Sequence, residues 1–391
     1  MNRSFIARNP SVLIFVAILA LFTLAITVLS EGFGLGLIST SFVKVLGKTL
    51  CLCLIAVSMD LIWGYTGILS LGHFAFFGLG GYMIGMWLMY ERTRQIIESA
   101  LSDGVLPPTP EEISAGIGNQ IFGVVGSSDF PLIWVFADSF ALQLALVVLV
   151  PGILALVFGW LAFRSRVTGV YLSILTQAMT LGLSLYLFQN ASGLRGNNGL
   201  SGLQNLPGVT APQSVVSLWF FWASALALGL GYLLVAWVVS GKFGSVIRGI
   251  RDNEARVRFL GYSVETYKLA VFTLTACISG IAGALYYPQA GIINPAEVAP
   301  IASIYLAVWV AIGGRGRLYG AVIGTAFVSL VSSWFTGGQA PDVNLGIYTI
   351  KWVDWWLVLL GLSFVLVTLY APNGMGGLID LLKRKRKEPD V

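Results

Sequence analysis

The chain has 391 residues, of which 57% are hydrophobic and only 10% charged, with a formal net charge of +5. Soluble domains carry about 25% charged residues, so a water-soluble globule with a polar shell is excluded and a polytopic membrane protein fits. The basic residues stand beside apolar runs rather than in a stripe, which argues for cytoplasmic membrane flanks and against nucleic acid as a partner. Cys51, Cys53 and Cys277 all lie in apolar segments, and with His73 as the only histidine no Cys/His metal set can be assembled.

The chain opens on a basic stub, MNRSFIARNP, followed by an apolar run to Leu29. That run is longer than a signal-peptide core and lacks a small-x-small cleavage site, so it reads as a retained first span. Runs that suit about 30 Å of hydrocarbon follow the same pattern at 11–30, 142–162, 169–189, 217–240, 268–290 and 354–371. Two further regions read as paired shorter spans: 46–63 with 70–90, hinged at GYTG, and 301–313 with 319–336, hinged at GGRGRLYG. The fold class is therefore all-α, a polytopic integral membrane helix bundle of about ten spans with both termini cytoplasmic. The whole of 1–391 forms a single transmembrane domain. It carries a periplasmic acidic insertion at 91–139, a cytoplasmic segment at 241–267 and a basic cytoplasmic tail at 372–391.

Charge supports that arrangement. Ten spans put Arg3, Arg8, Arg164, Arg166, Arg315, Arg317 and the tail Lys383–Lys387 on one side, as the positive-inside rule asks. Lys44 and Lys48 stand against it near the outer face, where their long stems can carry the charge to the interface. The insertion contains PPTP and scattered Gly and Ser, and is expected to be an irregular excursion with a short helix at 110–118. A second outer loop, 190–216, is rich in Gly and Asn.

No phosphate-binding GxxxxGK[ST], GxSxG or HExxH motif occurs, and Asp60 and Asp354 are the only acids within or at the edges of spans. Chemistry must therefore be sought in polar breaks. In GYTGILSLGH, residues Gly64, Tyr65, Thr66, Gly67, Ser70, Gly72 and His73 combine hydroxyls with glycines that interrupt a helix. Interrupted spans line solute paths in transporters, and tight helix packing is the equally weighted alternative. His73 has no acidic neighbour at helical spacing, so it reads as a neutral ring hydrogen-bonded to a carbonyl or to Ser70 rather than as a proton relay.

The longest inner interruption places Val246, Ile250, Val257 and Leu260 at helical spacing, with charged residues between them and Gly261 set to end the helix. Such a helix is either a passive interface element or a peg seated on a cytoplasmic partner.

Three blocks carry a family resemblance: SLGHFAFFGLGGY at 70–82, RDNEARVRFLGYSVETYKLAVFTLTACISGIAGALYYPQAGIINP at 251–295, and VWVAIGGRGRLYGAVIGTA at 308–326. They resemble permease subunits of branched-chain amino acid and urea ABC importers, in the family's order and over nearly the whole chain. GVYLSILTQAMT followed by GNNGLSG, with the acidic insertion, is most similar to the longer permease of the urea branch.

The resemblance implies a non-enzymatic transport subunit of a bacterial inner membrane, moving urea or, alternatively, a branched-chain amino acid. It implies a second permease, two cytoplasmic ATPases that hydrolyse the ATP, and a periplasmic solute-binding protein, with no cofactor held by this chain. It places coupling to the ATPase on Ile250, Arg251, Asp252, Glu254, Ala255, Val257, Leu260, Gly261 and Lys268, with Glu254, Ala255 and Gly261 in the family's EA-x-G positions. Arg256 departs from the general importer pattern, which has a second alanine there.

Overall fold

The computed structural model describes residues 10–101, 109–122, 132–165, 167, 169–337, 343–344, 349–370 and 374–377. Twelve α-helices are found among them: α1 Pro10–Leu29, α2 Thr40–Asp60, α3 His73–Leu101, α4 Pro110–Phe122, α5 Phe140–Arg164, α6 Val170–Phe188, α7 Gln213–Ser240, α8 Lys242–Phe259, α9 Val264–Ala290, α10 Pro300–Gly313, α11 Leu318–Thr336 and α12 Trp352–Tyr370. Each of the ten apolar runs becomes a helix. Seven are long and apolar enough to cross a membrane by length and composition: α1, α2 with its following turn, α5, α6, α7, α9 and α11. Helix α10 and the apolar part of α12 are shorter. The protein is an all-α polytopic membrane protein.

The helices are not equivalent. Helix α2 runs through the centre with almost every residue from Leu50 to Ile62 buried, whereas α1 turns Leu13, Ile14, Leu21 and Leu24 outward. Helix α9 packs on α2, α3 and α5. Where α9 crosses α3 and α5, the backbone of Gly80 meets Gly280 and that of Gly283 meets Phe77, leaving no room for a Cβ. Small residues at such crossings let dispersion contacts replace the hydrophobic drive that lipid does not supply.

The acidic insertion departs from the expected irregular excursion. Helix α3 continues as far as Leu101, its charged end held by Arg94 pairing with Glu91 and Glu98. Helix α4 covers the predicted 110–118 and folds back on α3, with Ile117 fully buried. Residues 102–108 and 123–131, the stub 1–9 and the tail 378–391 lie outside the described residues.

At the same end, the Gly/Asn-rich loop is tied down. Strand β1, Leu200–Ser201, pairs antiparallel with β2, Ile292–Ile293, which follows α9. Trp134 is buried and its Nε1 donates to the Gly193 carbonyl at 2.8 Å. A second small ribbon joins β3, Val343–Asn344, to β4, Thr349–Ile350.

Candidate coupling junction and solute path

The GYTG break is built into the end of α2. After Asp60 the helix widens into a π-turn over Leu61–Tyr65 and stops. Terminal carbonyls of a helix have no donor of their own and carry its partial negative charge. Here two distant segments supply what is missing. Arg251 of α8 donates from Nη1 to the Gly64 carbonyl at 2.8 Å, and the Arg315 guanidinium stacks 5.2 Å above the Trp63 ring.

Asp60, fully buried, accepts the Gly316 N–H on Oδ1 at 2.7 Å and interacts electrostatically with Arg315 and Arg251. A carboxylate this deep is costly unless compensated. Gly316 and the two guanidiniums offset the burial of Asp60 only in part, since its Oδ2 is buried without a hydrogen-bond partner and no ion pair closes on it among the described residues. Gly64 and Gly316 meet backbone to backbone, so a Cβ on Gly64 would collide with Asp60 and with Gly316. The turn between α10 and α11, expected to be only a tight cytoplasmic connection, is the third wall of this junction.

The 241–267 segment corrects the single amphipathic helix read from spacing. Asn253 has φ −159° and ψ 96°, so α8 is two helices meeting at a kink. Asn253 Oδ1 accepts the Arg256 N–H at 3.0 Å, which makes it the N-cap of a second short helix beginning at Glu254. Gly261, at φ +87°, ends that helix as expected.

The kink splits the predicted coupling residues into two groups. Ile250 and Val257 pack inward on Val264. Glu254 accepts from buried Lys268 at 2.6 Å and from Arg258 at 3.1 Å, while Arg251 is held by Gly64 and by Asp252 at 3.0 Å. Glu265 first and Glu254 second hold the Arg258 pKa above its usual value by hydrogen bonding. These polar groups have partners within the chain. The outward set is different: Leu260 is 71% and Phe259 92% exposed, beside a shallow groove lined by Glu254, Ala255, Arg258 and Phe259.

The residues of the expected solute path also divide. Thr66 donates to the Leu61 carbonyl at 3.4 Å and half-buried Tyr65 interacts with the Leu318 backbone, so both belong to the junction; Gly67, at φ +80°, lies against Arg251. Beyond it the chain is extended. Ser173 donates to the Leu69 carbonyl at 2.7 Å, the Leu71 N–H donates to Thr176 at 3.0 Å, and Gly72 rests on Thr176 and Thr180.

Helix α3 begins at His73, where the Phe74 N–H donates to Ser303 of α10 at 3.1 Å. Ser70 and His73 are fully buried, and neither the hydroxyl nor a ring nitrogen has a well-formed hydrogen bond; the Ser70 backbone is the polar group nearest the ring. The expected Ser70–His73 side-chain bond is not formed. The Ser70 hydroxyl is thus left without a partner, while the His73 ring has the Ser70 backbone beside it, the carbonyl alternative of the two expected for it.

Sequence reasoning missed Asp60 as a junction residue and Arg315 and Gly316 as its partners. An acid inside an apolar span is a signal of function, but its partner lies 256 positions away.

The break in the central α2 is thus held from α8 by one guanidinium, within a polytopic membrane protein. The chain belongs to the branched-chain amino acid transport system permease component family, whose model matches residues 41–368. Its members are transport components without catalytic activity of their own. The chain is 21% identical over 377 residues to the high-affinity branched-chain amino acid transport system permease protein LivM of Escherichia coli K12, covering 91% of this chain and 74% of the relative. The LivM of Salmonella typhimurium LT2 is 22% identical over 357 residues with the same coverage. The autoinducer 2 import system permease protein LsrC of Shigella flexneri is 30% identical over 105 residues, which is 25% of this chain and 31% of LsrC. No solved structure matches the chain.

Proposed function

We propose that this chain is one permease subunit of an ATP-driven importer in a bacterial inner membrane, carrying a small nitrogenous solute inward by alternating access. Two cytoplasmic ATPases hydrolyse the ATP, a second permease completes the pathway, and a periplasmic binding protein delivers the solute. The chain holds no cofactor itself. Ten spans with both termini inside are the arrangement adopted, which puts the junction at the cytoplasmic end.

The observation that carries this reading is the Arg251–Gly64 bond. An ATPase can shift a two-state equilibrium only through contacts that differ between the states. Exposed Phe259 and Leu260 give the ATPase a hold, Asn253 separates that hold from the rest of α8, and Arg251 passes its position to the break in α2. Urea is supported as solute by the blocks at 169–180 and 196–202. A branched-chain amino acid is supported by relatives that align with nine-tenths of the chain.

The test is co-expression with the ATPase subunits. Phe259→Ala/Leu260→Ala should reduce the ATPase recovered with the permease about tenfold or more, as loss of two anchor side chains does, while membrane insertion is unchanged. Full recovery of ATPase with the double variant contradicts the docking assignment. ATP-dependent uptake scored with urea and with leucine separates the two solutes.

A further inference from the structure

The α10–α11 turn that donates to Asp60 is also covered by a later stretch of the chain. Beyond α12, residues 374–377 form one helical turn, with Gly374, Gly376 and Gly377 buried. Gly374, at φ +63°, meets the backbone of Gly313 and Gly314 so closely that a Cβ would collide with both. Gly376 lies beside Gly313 and Tyr319, whose hydroxyl reaches the Gly376 carbonyl at 3.5 Å. Met375 packs onto the cluster of Ile312, Val328 and Leu360, one residue each from α10, α11 and α12.

The turn is therefore gripped at two places. Two positions after Gly314, the Gly316 N–H sits on Asp60, and Arg315 between them stacks on Trp63 at the end of α2. Whatever seats residues 374–377 thus bears on the break in α2 through 313–316.

The seat does not hold itself. Three of its four residues are glycine, second only to proline as a poor helix former. The Tyr319 bond stands at the outer limit of hydrogen-bond distance. The sequence LIDLL follows at 378–382, and then come five consecutive basic residues, Lys383, Arg384, Lys385, Arg386 and Lys387. Four apolar side chains ahead of a cationic run are the chemistry that binds an anionic membrane surface. The apolar groups enter the headgroup boundary and the cations meet lipid phosphates. A tail held there keeps 374–377 at high effective concentration beside their seat.

We infer that residues 374–377 are a strap on the coupling junction, and that the basic run behind them binds anionic phospholipid headgroups and keeps the strap seated. Anionic lipid thereby tightens the Gly316–Asp60 contact from outside the junction. The inference rests on the import-permease reading for its sidedness, which puts the tail and the junction at the same membrane face.

The test is amide hydrogen exchange on the full chain with its co-purifying subunits, read in the peptide that covers 313–320. The protein is held in nanodiscs of phosphatidylcholine alone, or of phosphatidylcholine and phosphatidylglycerol in equal parts. Exchange reports local opening of the turn. Phosphatidylglycerol should slow it about fivefold or more, and about 0.5 M salt should remove the slowing. Inorganic phosphate added to the phosphatidylcholine nanodiscs should change nothing. The combined Lys383→Gln, Arg384→Gln, Lys385→Gln, Arg386→Gln and Lys387→Gln variant should exchange fast in both lipids. Gly374→Val, which unseats the strap, should do the same. Should it fail to fold, Met375→Ser removes the packing contact and should cut the slowing to about twofold or less.

Exchange in the parent that ignores the lipid, slowing that survives the Gln substitutions or the unseating of the strap, or an equal slowing by inorganic phosphate overturns the inference. Exchange is read without transport, and ATP-driven uptake reads the importer assignment separately. Uptake with lipid-independent exchange rejects the strap alone. Slowing that the Gln variant loses, in a complex without ATP-driven uptake, rejects the importer alone.

Discussion

The two ends of α2 treat charge in opposite ways. At the junction end, Asp60 is held by Gly316, Arg251 by Gly64 and Asp252, and Glu254 by Lys268 and Arg258. At the other end, Lys48 and Glu297 interact electrostatically without closing an ion pair, Tyr287 lies beside Glu297, and the Tyr82 hydroxyl is left without a partner. Paired charges make a rigid joint that can transmit a displacement, because breaking one member leaves its partner stranded in low dielectric. Charges that do not close into a pair contribute little to such a joint.

Two substitutions separate these ends by their effect on folding. Gly316→Val should destabilise most, by about 2 kcal/mol. Gly316 stands at φ +77°, a conformation that a β-branched L residue is strained to adopt, although a Cβ there has ordinary room beside Gly64. Thermal unfolding in detergent reads the loss. If the variant matches the parent, the junction is looser than its geometry implies. Lys48→Met, at the other end, should change folding stability by no more than about 0.5 kcal/mol in the same measurement, since an unpaired, partly buried charge contributes little. A loss as large as that of Gly316→Val would erase the contrast.

Much of the scaffold was legible because lipid imposes long apolar runs. All ten runs became helices, the GYTG break fell where the polar hydroxyls and glycines had marked it, and Gly261 ended its helix. What spacing could not reveal was pairing across the chain. Val246, Ile250, Val257 and Leu260 fit one helical stripe, yet the Asn253 side chain prefers to cap the Arg256 N–H and breaks the stripe there. An Asn followed by Glu-Ala-Arg is a recognisable N-cap signal, and weighing it against periodicity would have found the kink.

Glu254 and Arg251 were expected to touch an ATPase because the segment resembles the family's coupling region. Their partners, Lys268 and the Gly64 carbonyl, follow from tertiary structure alone. The hydroxyls of Tyr65 and Thr66 likewise lie at the joint, while the Ser70 hydroxyl has no partner. Lys48 was visible only as an exception to the charge rule, because Glu297 lies 249 positions further along the chain.

The central claim is that one guanidinium links α8 to the break in α2. Arg251→Met keeps the aliphatic stem but removes the donor to Gly64. In the assembled transporter reconstituted in liposomes, solute taken up per ATP hydrolysed should fall about tenfold or more, with ATPase subunits still bound and ATP hydrolysis retained. An unchanged ratio of uptake to hydrolysis would contradict the account.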